Sequence, residues 1–160
     1  MQSRKPIEND QVREVFANYP AAMRKRLLDL RDLILATADE TDGVGQIVEC
    51  LKWGQPAYLT ERPKSGSTIR IDAIRGEDGL YGLFVHCQTR LVPIFRDHYD
   101  GQLSFDGNRA VILSMNEPVP VAPLKHCVAM ALTYHLKRQR ISEKAAETCR
   151  TSGMRGECST

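Results

Sequence analysis

The sequence predicts an α+β domain in which an antiparallel β-sheet packs against N-terminal and C-terminal helices. Three observations predict it. Apolar residues recur at helical spacing near the N-terminus, the middle of the chain alternates apolar and polar residues between turn signals, and a last helical stripe ends near residue 136. Helices at both ends of a run of hairpin strands is the order expected when helices cover one face of a largely antiparallel sheet.

Asn9 and Asp10 are cap-type residues, and Val12, Val15, Phe16 and Tyr19 follow at helical spacing, so a helix is expected over 9–19. Pro20 ends it and suits an early position of the next helix. That second helix carries Met23, Leu27, Leu30, Ile34 and Ala38 as its apolar stripe, with Arg24, Lys25, Arg31 and Asp32 read as the opposite, solvated face. Ile47 to Lys52 reads as a short helical turn closed by Trp53-Gly54, and Pro56 opens an extended stretch. Pro63 to Ser67 has the composition of a hairpin loop or a longer flexible connection. Thr68 to Ile74 alternates as a half-buried strand does, and Leu80 to Cys87 is expected to pair with it as a hairpin. Arg90 to Tyr99 reads as a short helix with Pro93 in its first turn. The Asp106-Gly107 pair between apolar runs signals another hairpin. Pro123 opens the last helix, with Leu124, Cys127, Val128, Ala131, Leu132, His135 and Leu136 along one face. A single domain over 9–138 is expected, followed by a loosely held polar tail at 139–160.

Composition narrows the function classes. A chain of 160 residues folds as one domain and buries about two-thirds of its unfolded surface, without needing a disulfide or metal staple. No apolar run approaches the ~20 residues of a membrane span, so no membrane partner is expected. The formal charge is +2, and Arg24-Lys25-Arg26 is the one tight basic cluster, so no nucleic-acid partner is expected either. The N-terminus carries no apolar signal segment, which predicts a cytoplasmic, reducing location. The five cysteines, Cys50, Cys87, Cys127, Cys149 and Cys158, are odd in number and contain no C-x-x-C, so a disulfide framework is not expected. The His86-Cys87 and His126-Cys127 dipeptides diverge in direction on either kind of element, so neither is taken as a metal site, and no cofactor is predicted. Nucleophile-elbow, P-loop, zinc-protease and dinucleotide motifs do not occur, and no catalytic residue is assigned.

The densest polar and aromatic cluster runs from Glu49 to Tyr58 and holds the chain's single tryptophan. On a helical turn Glu49 and Lys52 would share one face. The functional reading makes this segment one wall of a pocket against the sheet. Glu49 and Lys52 give it polarity, Pro56 shapes it, Arg109 adds positive charge, and Trp53, Tyr58 and Tyr81 offer flat surface. Such a site suits a small anionic or aromatic ligand, or a protein partner, in a monomer or homodimer. The competing reading makes the same segment a corner where a helix hands over to a strand.

Glu49-x-x-Lys52-Trp53-Gly54-x-Pro56-x-Tyr58, placed after a long amphipathic helix, resembles the YdhG-like family, a domain of unknown function numbered 1801. The run Gly107-Asn108-Arg109-Ala110-Val111-Ile112-Leu113, followed by Glu117-Pro118-x-Pro120, supports the likeness, which spans Val12 to Lys137. The resemblance implies an α+β fold and no settled activity. Some members are labelled frataxin-like iron chaperones, which implies an alternative role in iron handling through Asp29, Asp32, Asp39, Glu40 and Asp42. Hard oxygen ligands suit such delivery, although Arg24, Lys25, Arg26 and Arg31 interrupt these carboxylates. A further alternative is an enzyme of unknown reaction that uses Glu49 and Lys52.

Overall fold

A computed structural model describes residues 3–136. The order of elements is α1 (Asp10–Asn18), α2 (Ala21–Glu40), β1 (Gln46–Lys52), β2 (Gln55–Arg62), β3 (Ile69–Ala73), β4 (Leu80–Phe84), α3 (Leu91–Tyr99), β5 (Ser104–Asp106), β6 (Ala110–Ser114) and α4 (Val121–Leu132). The six strands form one antiparallel sheet in the order β1-β2-β3-β4-β6-β5. The α+β class and the antiparallel sheet read from the sequence are those of the structure. Among the described residues, no helix is long and apolar enough to cross a membrane.

Local chemistry explains most of the boundaries. The Asn9 side chain accepts a hydrogen bond from the Val12 amide and so starts α1. Arg24 donates to the carbonyls of Phe16, Ala17 and Tyr19, which satisfies the end of α1 and makes the corner with α2 rigid. Arg26 donates to the Met115 carbonyl. The basic triplet expected as a solvated face therefore spends two of its members on backbone.

Strand alternation divides the sheet into two faces. Ile69, Ile71, Tyr81, Leu83, Val111 and Leu113 are paired in register and buried against the helices. Leu27, Leu30 and Ile34 of α2 and Leu124, Val128 and Ala131 of α4 complete this core. The intervening residues, among them Arg70, Asp72, Phe84 and Ile112, belong to the second, uncovered face, where each is only half-buried.

Three expectations need correction. Residues 46–52 form a strand and not a helical turn, because each of them pairs with β2 across a two-residue turn at Trp53 and Gly54. On a strand, Glu49 and Lys52 point to opposite faces. Residues 63–67 are no loose connection: Ser65 is fully buried, donates through its hydroxyl to the Leu132 carbonyl and accepts from the amides of His135 and Leu136. Gly66 lies so close that a Cβ there would meet the Leu132 backbone at 2.3 Å. This plug ends α4 at Leu132, so His135 and Leu136 do not continue its stripe. The third correction concerns Arg31, which is 2% exposed and not on a solvated face. The expected tail at 139–160, with Cys149 and Cys158, lies outside the described residues.

Arg31 reaches from α2 to β1 and pairs with Glu49 through two hydrogen bonds, Nε to Oε2 at 2.6 Å and Nη2 to Oε1 at 3.1 Å. Its remaining donors hold the carbonyls of Lys5 and Pro6 and tie down the N-terminal segment. The Tyr58 hydroxyl donates to the same Glu49 Oε2 at 2.8 Å. Burial works against the Arg31 charge, but the Glu49 hydrogen bonds and charge outweigh it and hold the guanidinium above its ordinary range. Removing one member of such a pair strands the other. Arg31→Met is expected to lower unfolding free energy by about 3–5 kcal/mol in urea titrations. Lys125→Met, at the exposed pair with Glu40, should cost less than about 1 kcal/mol. Equal small losses would contradict the assignment.

Candidate functional site

The two-residue turn that joins β1 to β2 requires both central residues at positive φ, and here they are Trp53 at 53° and Gly54 at 75°. Glycine takes this conformation freely. Tryptophan does so at a cost of about 1–2 kcal/mol. Trp53 is also 84% exposed, so burial does not repay that cost. A non-glycine residue held in this conformation with its ring left in solvent is uncommon.

Trp53 overhangs the uncovered face of the sheet. The Arg70 guanidinium lies 4.6 Å from its ring centroid and 5.8 Å from that of Phe84, so one cation sits between two aromatic side chains. Beyond them a groove of about 640 Å³ continues past Asp72, His86 and Cys87 to Arg109. Its volume falls within the range of small-molecule sites.

The charges in the groove are unevenly matched. Asp106 accepts from the Arg109 guanidinium at 3.0 Å. Asp72 is engaged by neutral donors: the Tyr19 hydroxyl donates to Oδ1 at 2.7 Å, the Ala73 amide to the same oxygen at 2.8 Å, and the Gln55 amide to Oδ2 at 3.0 Å. Arg70 donates to the Gln55 carbonyl oxygen at 2.7 Å and, among the described residues, has no carboxylate partner. Burial, and after it the positive charge of Arg109, hold the Arg70 guanidinium below its usual range. An incoming anion would relieve both effects.

The residues proposed from sequence divide between the two faces. Trp53 and Arg109 line the groove. Glu49 and Tyr58 form the buried cluster with Arg31, while Pro56 is buried in β2. Tyr81 is fully buried beneath the sheet near Arg26. Lys52 is exposed at the end of edge strand β1 and is not among the groove's lining. The single pocket joining all seven is therefore corrected, because the sheet itself separates Trp53 and Arg109 from Glu49, Tyr58 and Tyr81. Sequence reasoning missed Gln55, Arg70, Phe84 and His86. The alternation of Arg70 and Asp72 against Ile69 and Ile71 marks an outward-facing polar side, but only the pairing of β3 with β4 places Phe84 beside Arg70.

The carboxylates considered for iron are arranged differently. Asp29 and Asp32 pair with Arg4, Asp39 with Lys5, and Glu40 with Lys125. Among the described residues, no three His, Cys, Asp or Glu side chains come together as a metal-ligand group. The described thiols, Cys50, Cys87 and Cys127, are free, and burial pushes the Cys127 thiol up to about 12.

No family model matches the sequence, and no curated protein matches it. Among solved structures, it is similar to the crystal structure of YdhG, a DUF1801 family protein from Bacillus subtilis. The TM-score is 0.57 at 14% identity, over 76% of this chain and 87% of that one. The likeness shows a shared fold, in agreement with the sequence resemblance to the YdhG-like family.

Two tyrosines report on the rigidity around the site. Burial, then the Glu49 charge and hydrogen bond, raise the Tyr58 phenol far above its ordinary value; burial and Asp72 do the same to Tyr19. A raised folded-state value means stability that is fully present below the unfolded value of about 10 and is lost as pH rises through the folded one. Wild-type protein should therefore lose stability above about pH 10. Tyr58→Phe should lose less over the same alkaline interval, as read by urea unfolding at each pH. Identical slopes would contradict the burial of an un-ionised Tyr58.

Proposed function

We propose that the protein is a binding module for a small ligand that joins an oxyanion to a flat ring, seated in the groove on the uncovered face of the sheet. One observation carries this reading. Arg70 is stacked beneath an exposed tryptophan held at positive φ, and it shares the groove with Arg109 while lacking a carboxylate of its own. Ring stacking on Trp53 and a charge-assisted hydrogen bond from Arg70 act on adjacent parts of one molecule. Each alone is weak in water. Together they make a selective contact, because a ligand lacking either half leaves the other unrewarded.

The frataxin-like alternative draws less support, since four of its five carboxylates are already engaged by basic side chains. An enzyme working through Glu49 and Lys52 is disfavoured by their placement on opposite sides of β1. Glu49 is moreover occupied by Arg31 and Tyr58.

Trp53 is the only tryptophan, so its fluorescence reports on this groove alone. Phenyl phosphate and benzoate carry both halves of the proposed ligand, while inorganic phosphate and benzyl alcohol carry one each. The first pair should give saturable changes in Trp53 emission with at least roughly tenfold higher affinity than either half. Arg70→Gln should weaken the ring-bearing anions by roughly tenfold or more, the expected loss of a charged hydrogen bond. Benzyl alcohol binding as well as phenyl phosphate, or Arg70→Gln binding as well as wild type, would overturn the proposal.

A further inference from the structure

The groove's cation is held by an amide in a position where a carboxylate would reach equally well. Gln55 stands at the first position of β2, next to the Trp53-Gly54 turn, and its two amide atoms have different partners. Its Nε2 donates to Asp72 Oδ2 at 3.0 Å, and its Oε1 accepts from Arg70 Nη1 at 2.7 Å. An ionised carboxylate only accepts hydrogen bonds, so Asp72 fixes which way the amide faces. The Tyr19 hydroxyl, at the end of α1, donates to the other Asp72 oxygen at 2.7 Å and completes the chain Tyr19–Asp72–Gln55–Arg70.

We infer that Gln55 is the specificity-determining residue of the groove: a neutral side chain, oriented by Asp72, that holds the Arg70 guanidinium while leaving its charge for the ligand's oxyanion. This rests on the groove reading above and deepens it. The negative charge of Asp72 is spent on three neutral donors, the Tyr19 hydroxyl, the Gln55 amide and the Ala73 backbone amide, one side chain away from the cation. Glutamate at position 55 would neutralise Arg70 from within and place two carboxylates against each other. The arrangement selects compact oxyanions, carboxylate or phosphate, over neutral rings, and Gln55 is a positioning residue for Arg70.

A charge-transposing variant isolates this role. Gln55→Glu combined with Asp72→Asn keeps the net charge and the same hydrogen-bonded pairs, with donor and acceptor exchanged only between positions 55 and 72, but moves the carboxylate onto Arg70. Phenyl phosphate and benzoate, followed by Trp53 fluorescence, should bind this variant at least roughly tenfold more weakly than wild type. The phosphate should lose more than the carboxylate if the site prefers a dianion, and both should lose alike if it reads one negative charge. Gln55→Met removes the contact without adding charge and should lose several-fold less than the transposed variant. Wild-type affinity in the transposed variant, or an equal loss in Gln55→Met, would overturn the role of Gln55 and leave the groove reading standing. Absence of any probe binding to wild type would overturn the groove reading instead. Gln55 is then judged without ligand, by proton exchange of the Arg70 guanidinium in nuclear magnetic resonance. Slower exchange in the transposed variant supports the inference, and equal exchange overturns it.

Discussion

The pairing of Arg31 with Glu49, completed by Tyr58, determines the placement of nearly everything else at this end of the molecule. It is a charge pair, with Arg31 buried and Glu49 13% exposed, that joins α2, β1 and β2, and the same guanidinium holds the N-terminal segment through two backbone carbonyls. A buried pair of this kind adds little net stability, because desolvation offsets much of the attraction. It does fix register. Side chains on a strand alternate with period 2, so a slip by one residue would send Glu49 and Tyr58 to the uncovered face and leave Arg31 stranded in the core.

The groove follows from that constraint. With Glu49 and Tyr58 directed inward, their neighbours Cys50, Lys52, Gln55 and Ala57 face outward, and the turn between the strands presents Trp53 above the open side of the sheet. There Trp53 meets Arg70, which pairing with β4 has set beside Phe84. Fold and candidate site thus occupy opposite faces of the same two strands. The sequence cluster from Glu49 to Tyr58 looks like one site because both jobs alternate along it.

That alternation also explains what could be read from the sequence. The helices α1 and α3, the start of α4, the β3–β4 hairpin and the β5–β6 hairpin all follow apolar periodicity bounded by clear turn residues, and each appears where the pattern places it. Strand β1 is hidden because charged Glu49 interrupts the inward row of Ile47 and Leu51 while the outward positions hold apolar Val48 and Cys50, which blurs the usual contrast. Arg31 was legible in principle: it lies four residues after Leu27 and three before Ile34, inside the apolar stripe, yet its charge argues for the surface unless a partner is known. The plug at 63–67 depends on carbonyls of α4 some 65 residues away, and no local pattern encodes such a partner. The groove is of the same kind. Gln55, Arg70, Phe84 and Arg109 come from different strands and a loop, and only strand order unites them.

The most direct test is a double-mutant cycle on Arg31→Met and Glu49→Leu, with unfolding free energies from urea titration. If the pair sets the register of β1 and β2, each single variant leaves a buried charge unpaired and the double variant does not. The double should then be more stable than the sum of the single losses implies, by at least about 2 kcal/mol. Additive losses within about 0.5 kcal/mol would show that the two residues act independently, and the account of how this protein separates its core from its open sheet face would be wrong.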